Sequence, residues 1–214
     1  MKNKSNYIVS GVSFILFITL IILIKTVDVG NTGVGDTKIG LYALNHAANS
    51  FLGENAAWYK LTEITGVLSL AAAGIFALMG VCELICRKSI IKVDKELLSL
   101  GGLYVITGII YVFFEKVIIN YRPLIEAGKN EAEASFPSSH TVLVIVIMGS
   151  ILMIIDKYIK NPIVLQIVRS VCSMTLIVTV LGRMLSGVHW ITDIIGGVLI
   201  SVCLLSLFRA LTKE

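Results

Sequence analysis

Three groups of polar residues interrupt an otherwise apolar chain. The first is Lys116 with Arg122 and Pro123, the second Pro137-Ser138-Ser139-His140, and the third Gly182-Arg183 with His189 and Asp193. Their types suit phosphoryl chemistry. A phosphoryl group in transfer carries charge on its equatorial oxygens, so catalysis is mostly positioning and charge stabilisation. Arg122 and Arg183 can each fork onto two oxygens, and Lys116 adds a point charge. Ser138 offers a hydroxyl, and the backbone N–H of Ser139, near a helix start, can donate to an anion. The four-residue spacing of His189 and Asp193 predicts a shared helix face. There the carboxylate can hold one imidazole nitrogen and leave the other free to attack. His140 can protonate the leaving oxygen and then activate water, since imidazole titrates near neutrality.

The elements that must hold these groups are membrane spans. Hydrophobic residues make up 56% of the 214-residue chain and charged residues 15%, against about 25% charged in an average globular domain. A span needs roughly 20 apolar residues at 1.5 Å rise each. Six stretches approach that length: Tyr7 to Ile24, Leu61 to Cys86, Leu97 to Phe114, His140 to Ile155, Leu165 to Gly182 and His189 to Phe208. Lipid offers no partner for backbone N–H and C=O groups, so each is expected to be a helix. No cleavage pattern follows Ile24, so the first span reads as an uncleaved anchor. Between Ile39 and Trp58, apolar residues at helical spacing alternate with Asn45, His46 and Asn49, as in an amphipathic helix lying in the interface. No internal repeat or linker divides the sequence, and we expect one all-α domain over residues 1–214.

Charge sets the expected orientation. With six spans, the N-terminus, the Cys86–Leu97 loop, the Asp156–Arg169 segment and the C-terminus share a side, and they hold eleven of the 18 Lys and Arg residues. Lys and Arg bias towards the cytoplasm, which places both termini inside and all three polar groups on the outer face of the cell membrane. The net charge of +4 follows from this bias, and no basic stripe points to nucleic acid. Cys82, Cys86, Cys172 and Cys203 all fall within spans without the ligands of a metal site, and read as small packing residues with no disulfide.

In order, separation and placement at span ends, the three groups resemble the signature of the type 2 phosphatidic acid phosphatase (PAP2) family, related to bacterial acid phosphatases and vanadium haloperoxidases. That signature reads Lys-x6-Arg-Pro, Pro-Ser-Gly-His and Ser-Arg-x5-His-x3-Asp. The resemblance implies a helical membrane lipid phosphatase with a phosphohistidine on His189, His140 as acid then base, and no metal or other cofactor. The expected partner is a phosphorylated lipid in the bilayer: undecaprenyl diphosphate first, since its recycling needs an outward-facing site, then phosphatidylglycerophosphate or phosphatidic acid. The chain departs from the signature three times. Ser139 replaces a glycine, Gly182 replaces a serine, and the first motif is one residue short, leaving Glu115 at the position counted for the lysine.

Other readings stand beside this one. The same intermediate could pass its phosphoryl group to a lipid or sugar hydroxyl, or the fold could serve lipid binding or transport without catalysis. Lys116 at a span end can simply snorkel, as can Arg169. His46 and Trp190 fit interfacial positions, and Glu83 and Arg87, four apart, are expected to pair. The loop from Leu124 to Ser135, with Glu126, Glu131 and Glu133, is a solvated segment that could also cover the site.

Overall fold

The computed structural model of the protein describes residues 2–125 and 129–212, so Glu126 lies outside the described residues. In chain order the elements are α1 (Lys2–Thr26), a hairpin of β1 (Gly30–Asn31) and β2 (Lys38–Ile39), α2 (Tyr42–Leu52), α3 (Ala56–Arg87), a 3-10 turn at Ile90–Lys92, α4 (Lys95–Lys116), α5 (Ser139–Tyr158), α6 (Pro162–Leu185) and α7 (Ile191–Thr212). This is an all-α fold with six helices long and apolar enough to cross a membrane, plus one interfacial helix, α2. The helices outrun the apolar stretches because caps and polar ends extend them. Asn55 caps α3 by accepting from the N–H groups of Ala57 and Trp58, and Asn161 caps α6, with Pro162 following.

Helix α5 is the enclosed centre, packed against α3, α4, α6 and α7, while α1 lies along α7. Lipid tails are as apolar as leucine, so helices associate through close packing and interhelical hydrogen bonds. Gly149 of α5 lets Leu205 of α7 come so near that a Cβ would sit 2.6 Å from its Cδ1. The Thr65 and Thr179 hydroxyls join α3 to α6 at 2.6 Å, and Ser10 Oγ donates to the Cys203 carbonyl between α1 and α7. Cys172 and Cys203 are buried, and Cys82 and Cys86 are exposed on α3.

Helix α2 is held by Asn45. Its Nδ2 donates to the Gly40 carbonyl, and its Oδ1 accepts from the backbone and hydroxyl of Thr192 at the start of α7. Leu44, His46 and Phe51 stay exposed. At the opposite end of the bundle Glu83 pairs with Arg87, and Lys157 bridges Asp94 and Glu96. Two sequence expectations need correction. Arg169 does not simply snorkel: its Nη2 donates to both oxygens of Asp156 at 2.7 Å, across the turn between α5 and α6. Trp190 is not an interfacial residue: it is 3% exposed and its Nε1 donates to the Tyr121 carbonyl, pinning the α4–α5 connection to α7.

Candidate active site

The three polar groups meet at one end of the bundle, and the residue joining them is Asp193. It occupies the first turn of α7, where its N–H donates to the Trp190 carbonyl and its Oδ2 accepts from the Trp190 N–H at 2.9 Å. This reciprocal pair starts the helix as a capping box does. Oδ1 accepts from Asn120 Nδ2 at 2.8 Å, and the Asp193 carbonyl accepts from the Ser138 N–H at 3.1 Å. The carboxylate is wholly buried.

His189 does not share a helix face with Asp193 as the spacing predicts. It lies in the turn between α6 and α7, which Gly187 makes possible with φ of +75° and a Cβ position only 2.5 Å from Glu54 Cγ. Nδ1 is 3.6 Å from Asp193 Oδ2, too far for a hydrogen bond. The Ser135 hydroxyl fills the gap. It donates to Asp193 Oδ2 and lies 3.2 Å from His189 Nδ1, whose N–H it accepts in this arrangement. With the proton on Nδ1, the lone pair is on Nε2, a buried atom with no hydrogen-bond partner among the described residues. Burial holds the His189 imidazole below the ordinary histidine range, outweighing the opposite pull of Asp193.

Arg183, near the end of α6, has a side chain 1% exposed, its guanidinium 5.3 Å from the centre of the Tyr59 ring. Its Nη2 donates to Glu63 Oε1 at 2.6 Å, while its buried Nε has no partner among the described residues. The same Glu63 oxygen is 3.2 Å from His140 Nε2. His140 opens α5 and lies against α3 where Gly66 leaves room, since a Cβ there would be 2.9 Å from the ring. Arg122 follows α4 in a strap closed by a β-bridge between Tyr121 and Ala134, and its Nη2 is 3.8 Å from Glu133 Oε2. The Lys129 ammonium, 2.8 Å from Glu133, holds that carboxyl below its usual range.

Several of these groups line one end of a cavity of about 470 Å³. Its polar wall carries Glu63, Arg122, Ser139, His140 and His189; its apolar wall runs between α3 and α4 past Val67, Leu70, Ile110 and Phe114. Three expected phosphate ligands are not brought to that wall. Arg183, 1% exposed, reaches it only through its hydrogen bond to Glu63. Ser138 is fully buried, its Oγ accepting from Thr141 Oγ1 at 3.0 Å. Lys116 is exposed at the last residue of α4, and Glu115 faces the cavity instead. The helix runs through both residues, so the one-residue shortening turns the lysine by about 100°.

The glycine at 182 also has a physical reason. A Cβ there would be 2.5 Å from Thr62 Cγ2 and 3.1 Å from the Trp58 ring, so α6 and α3 cross too closely for serine. Glu63, Ser135 and Asn120 are the site residues that the motif spacing missed. Only Glu63 carried a signal, as an acid inside a span, where ionisable groups are costly to keep. Among the described residues, no group of three or more His, Cys, Asp or Glu is placed to hold a metal ion.

Comparison with known proteins bears on the fold and the family. No curated protein matches the sequence. The crystal structure of the first transmembrane PAP2 type phosphatidylglycerolphosphate phosphatase from Bacillus subtilis is similar over 94% of both chains, with a TM-score of 0.64 and 17% identity, which shows a shared fold. Residues 96–214, more than half of the chain, match the PAP2 superfamily. The protein belongs to that superfamily and is a polytopic membrane hydrolase of it.

Proposed function

We propose that this hydrolase removes a terminal phosphate from a lipid through a phosphohistidine on His189. The observation that carries the reading is the two-ended cavity, whose ionisable wall meets an apolar wall between α3 and α4. A headgroup at the first end leaves its tail along the second, in or beside the bilayer. Undecaprenyl diphosphate remains our first substrate, followed by phosphatidylglycerophosphate, the type of substrate named for the Bacillus subtilis protein, and phosphatidic acid. We read the chain as one membrane domain with both termini cytoplasmic and the site outward, on the strength of its Lys and Arg distribution.

In this mechanism Arg122, Arg183 and the Ser139 N–H hold the phosphate oxygens. His189 Nε2 attacks the terminal phosphorus, its bond to the leaving oxygen breaks (the bridging oxygen of a diphosphate, the lipid oxygen of a monophosphate), and His140 gives that oxygen a proton. A water then attacks the phosphohistidine, passing its proton to His140, and inorganic phosphate leaves. Asp193, through Ser135, keeps the His189 proton on Nδ1 in both steps. No step uses a metal.

The test is phosphate release in detergent with EDTA present, comparing wild type with His189→Ala on the three lipids. Release insensitive to EDTA and abolished by the substitution is expected. Release that persists in His189→Ala, or that requires a divalent cation, would refute the mechanism.

A further inference from the structure

Glu63 lies where a substrate oxygen would have to be. One oxygen, Oε1, is 2.6 Å from Arg183 Nη2 and 3.2 Å from His140 Nε2. These two groups are assigned above to a phosphate oxygen and to the leaving oxygen, so the inference rests on that reading. Arg183 offers an incomplete fork, with Nη2 engaged by Glu63 and Nε unpartnered among the described residues. A phosphate that takes both N–H groups must move the carboxylate aside. There is room for it to move, because the Glu63 side chain is 44% exposed and lines the cavity. A carboxylate that served only to neutralise Arg183 would have no need to reach His140 with the same oxygen.

The cavity's apolar wall runs between two membrane-spanning helices, α3 and α4, and a bilayer holds phosphodiester lipids in great excess over any phosphomonoester. A bare pair of arginine and histidine would fill with their headgroups. With Glu63 present, an entering group must outcompete a carboxylate for Arg183. A diester, with one charge on two oxygens, offers nothing that Glu63 does not already supply. A terminal phosphate brings about −1.5 to −2 charges and three acceptor oxygens. We propose that Glu63 is a specificity residue, an internal competing anion that reserves the site for terminal phosphates and excludes phosphodiester headgroups.

The experiment uses the full chain in mixed micelles at neutral pH, acting on the lipid it hydrolyses in the preceding assay. Inorganic phosphate and phosphatidylglycerol, a phosphodiester, are added as inhibitors to wild type and to Glu63→Gln. The neutral isostere should bind phosphate about tenfold more tightly, and phosphatidylglycerol should become a competitive inhibitor at contents that leave wild type unaffected. A phosphate Ki that is unchanged or raised, with phosphatidylglycerol still inert, would overturn the proposal, since Glu63 would then only hold Arg183 and His140 in place. Glu63→Ala serves as a second neutral variant. If both lose a monodisperse peak in size exclusion, the residue holds the fold and the proposal is equally overturned. His189→Ala, run alongside, separates the two levels: release surviving there refutes the site itself, whereas an inert His189→Ala with wild-type inhibition of Glu63→Gln refutes only the role of Glu63.

Discussion

Replacing Ser135 with alanine removes one hydroxyl between two groups that do not otherwise touch. His189 Nδ1 and Asp193 Oδ2 are 3.6 Å apart, and the Ser135 oxygen bridges them. Without it the Nδ1 proton has no acceptor in reach, and neither the tautomer nor the aim of Nε2 is held. A hydrogen bond to a charged group contributes about 1.5–3 kcal/mol. If that stabilisation acts on the developing positive imidazole, kcat falls by roughly 10- to 150-fold. The proposed phosphate ligands Arg122, Arg183 and the Ser139 N–H are untouched, so KM should stay within about twofold, the pattern of an interaction made mainly in the transition state. Asp193 keeps its bonds from Asn120 and the Trp190 N–H, so α7 should remain anchored and the protein monodisperse. Steady-state phosphate release from lipid in micelles measures both constants, and Ser135→Thr should restore most of the rate. A kcat within twofold of wild type in Ser135→Ala would refute the reasoning, because Asp193 would then have closed the gap unaided.

Two further outcomes follow from the same geometry. Burial lowers the His189 pKa, so the neutral imidazole that the proposed mechanism needs persists to more acid pH than ordinary histidine allows. The acid limb of kcat/KM should therefore have its midpoint below about 6.5, and a midpoint at or above that value would contradict the burial argument. Gly182→Ser, which restores the residue of the family signature, should destabilise the protein by about 1–3 kcal/mol through overpacking against Thr62. Its thermal midpoint in detergent is the check, and an unchanged midpoint would mean that α3 and α6 can part without cost.

The six helices were legible because lipid leaves the backbone one way to satisfy its polar groups, and apolar length reports it directly. The spacing pattern singles out His140, His189, Asp193 and Arg183, and the fold brings these four to one end of the bundle. What escaped depends on contacts between distant helices. Glu63 precedes His140 by 77 residues and Arg183 by 120, and no periodicity links them. Ser135 bridges His189 and Asp193 only because the strap before α5 folds under the turn before α7. The four-residue spacing of His189 and Asp193 suggested a helical pair. The chain instead enters α7 at Ile191, so the imidazole approaches from a turn. Lys116 shows the reverse error, in which a residue of the right type is carried off the wall by helical register.

The packing of α1 along α7 and the dependence of the site on the start of α7 have a consequence for biosynthesis. A chain inserted from its N-terminus places Arg122, His140 and Arg183 in the membrane before His189 and Asp193 emerge. The contact between Ser10 and Cys203 spans 193 residues, so α1 must wait for the last described helix before it can close against its main partner. On the proposed mechanism, a nascent chain halted before α7 carries the phosphate ligands without a nucleophile. The chemistry would then switch on only when the bundle closes, leaving a stalled translocation product inert towards the lipids around it.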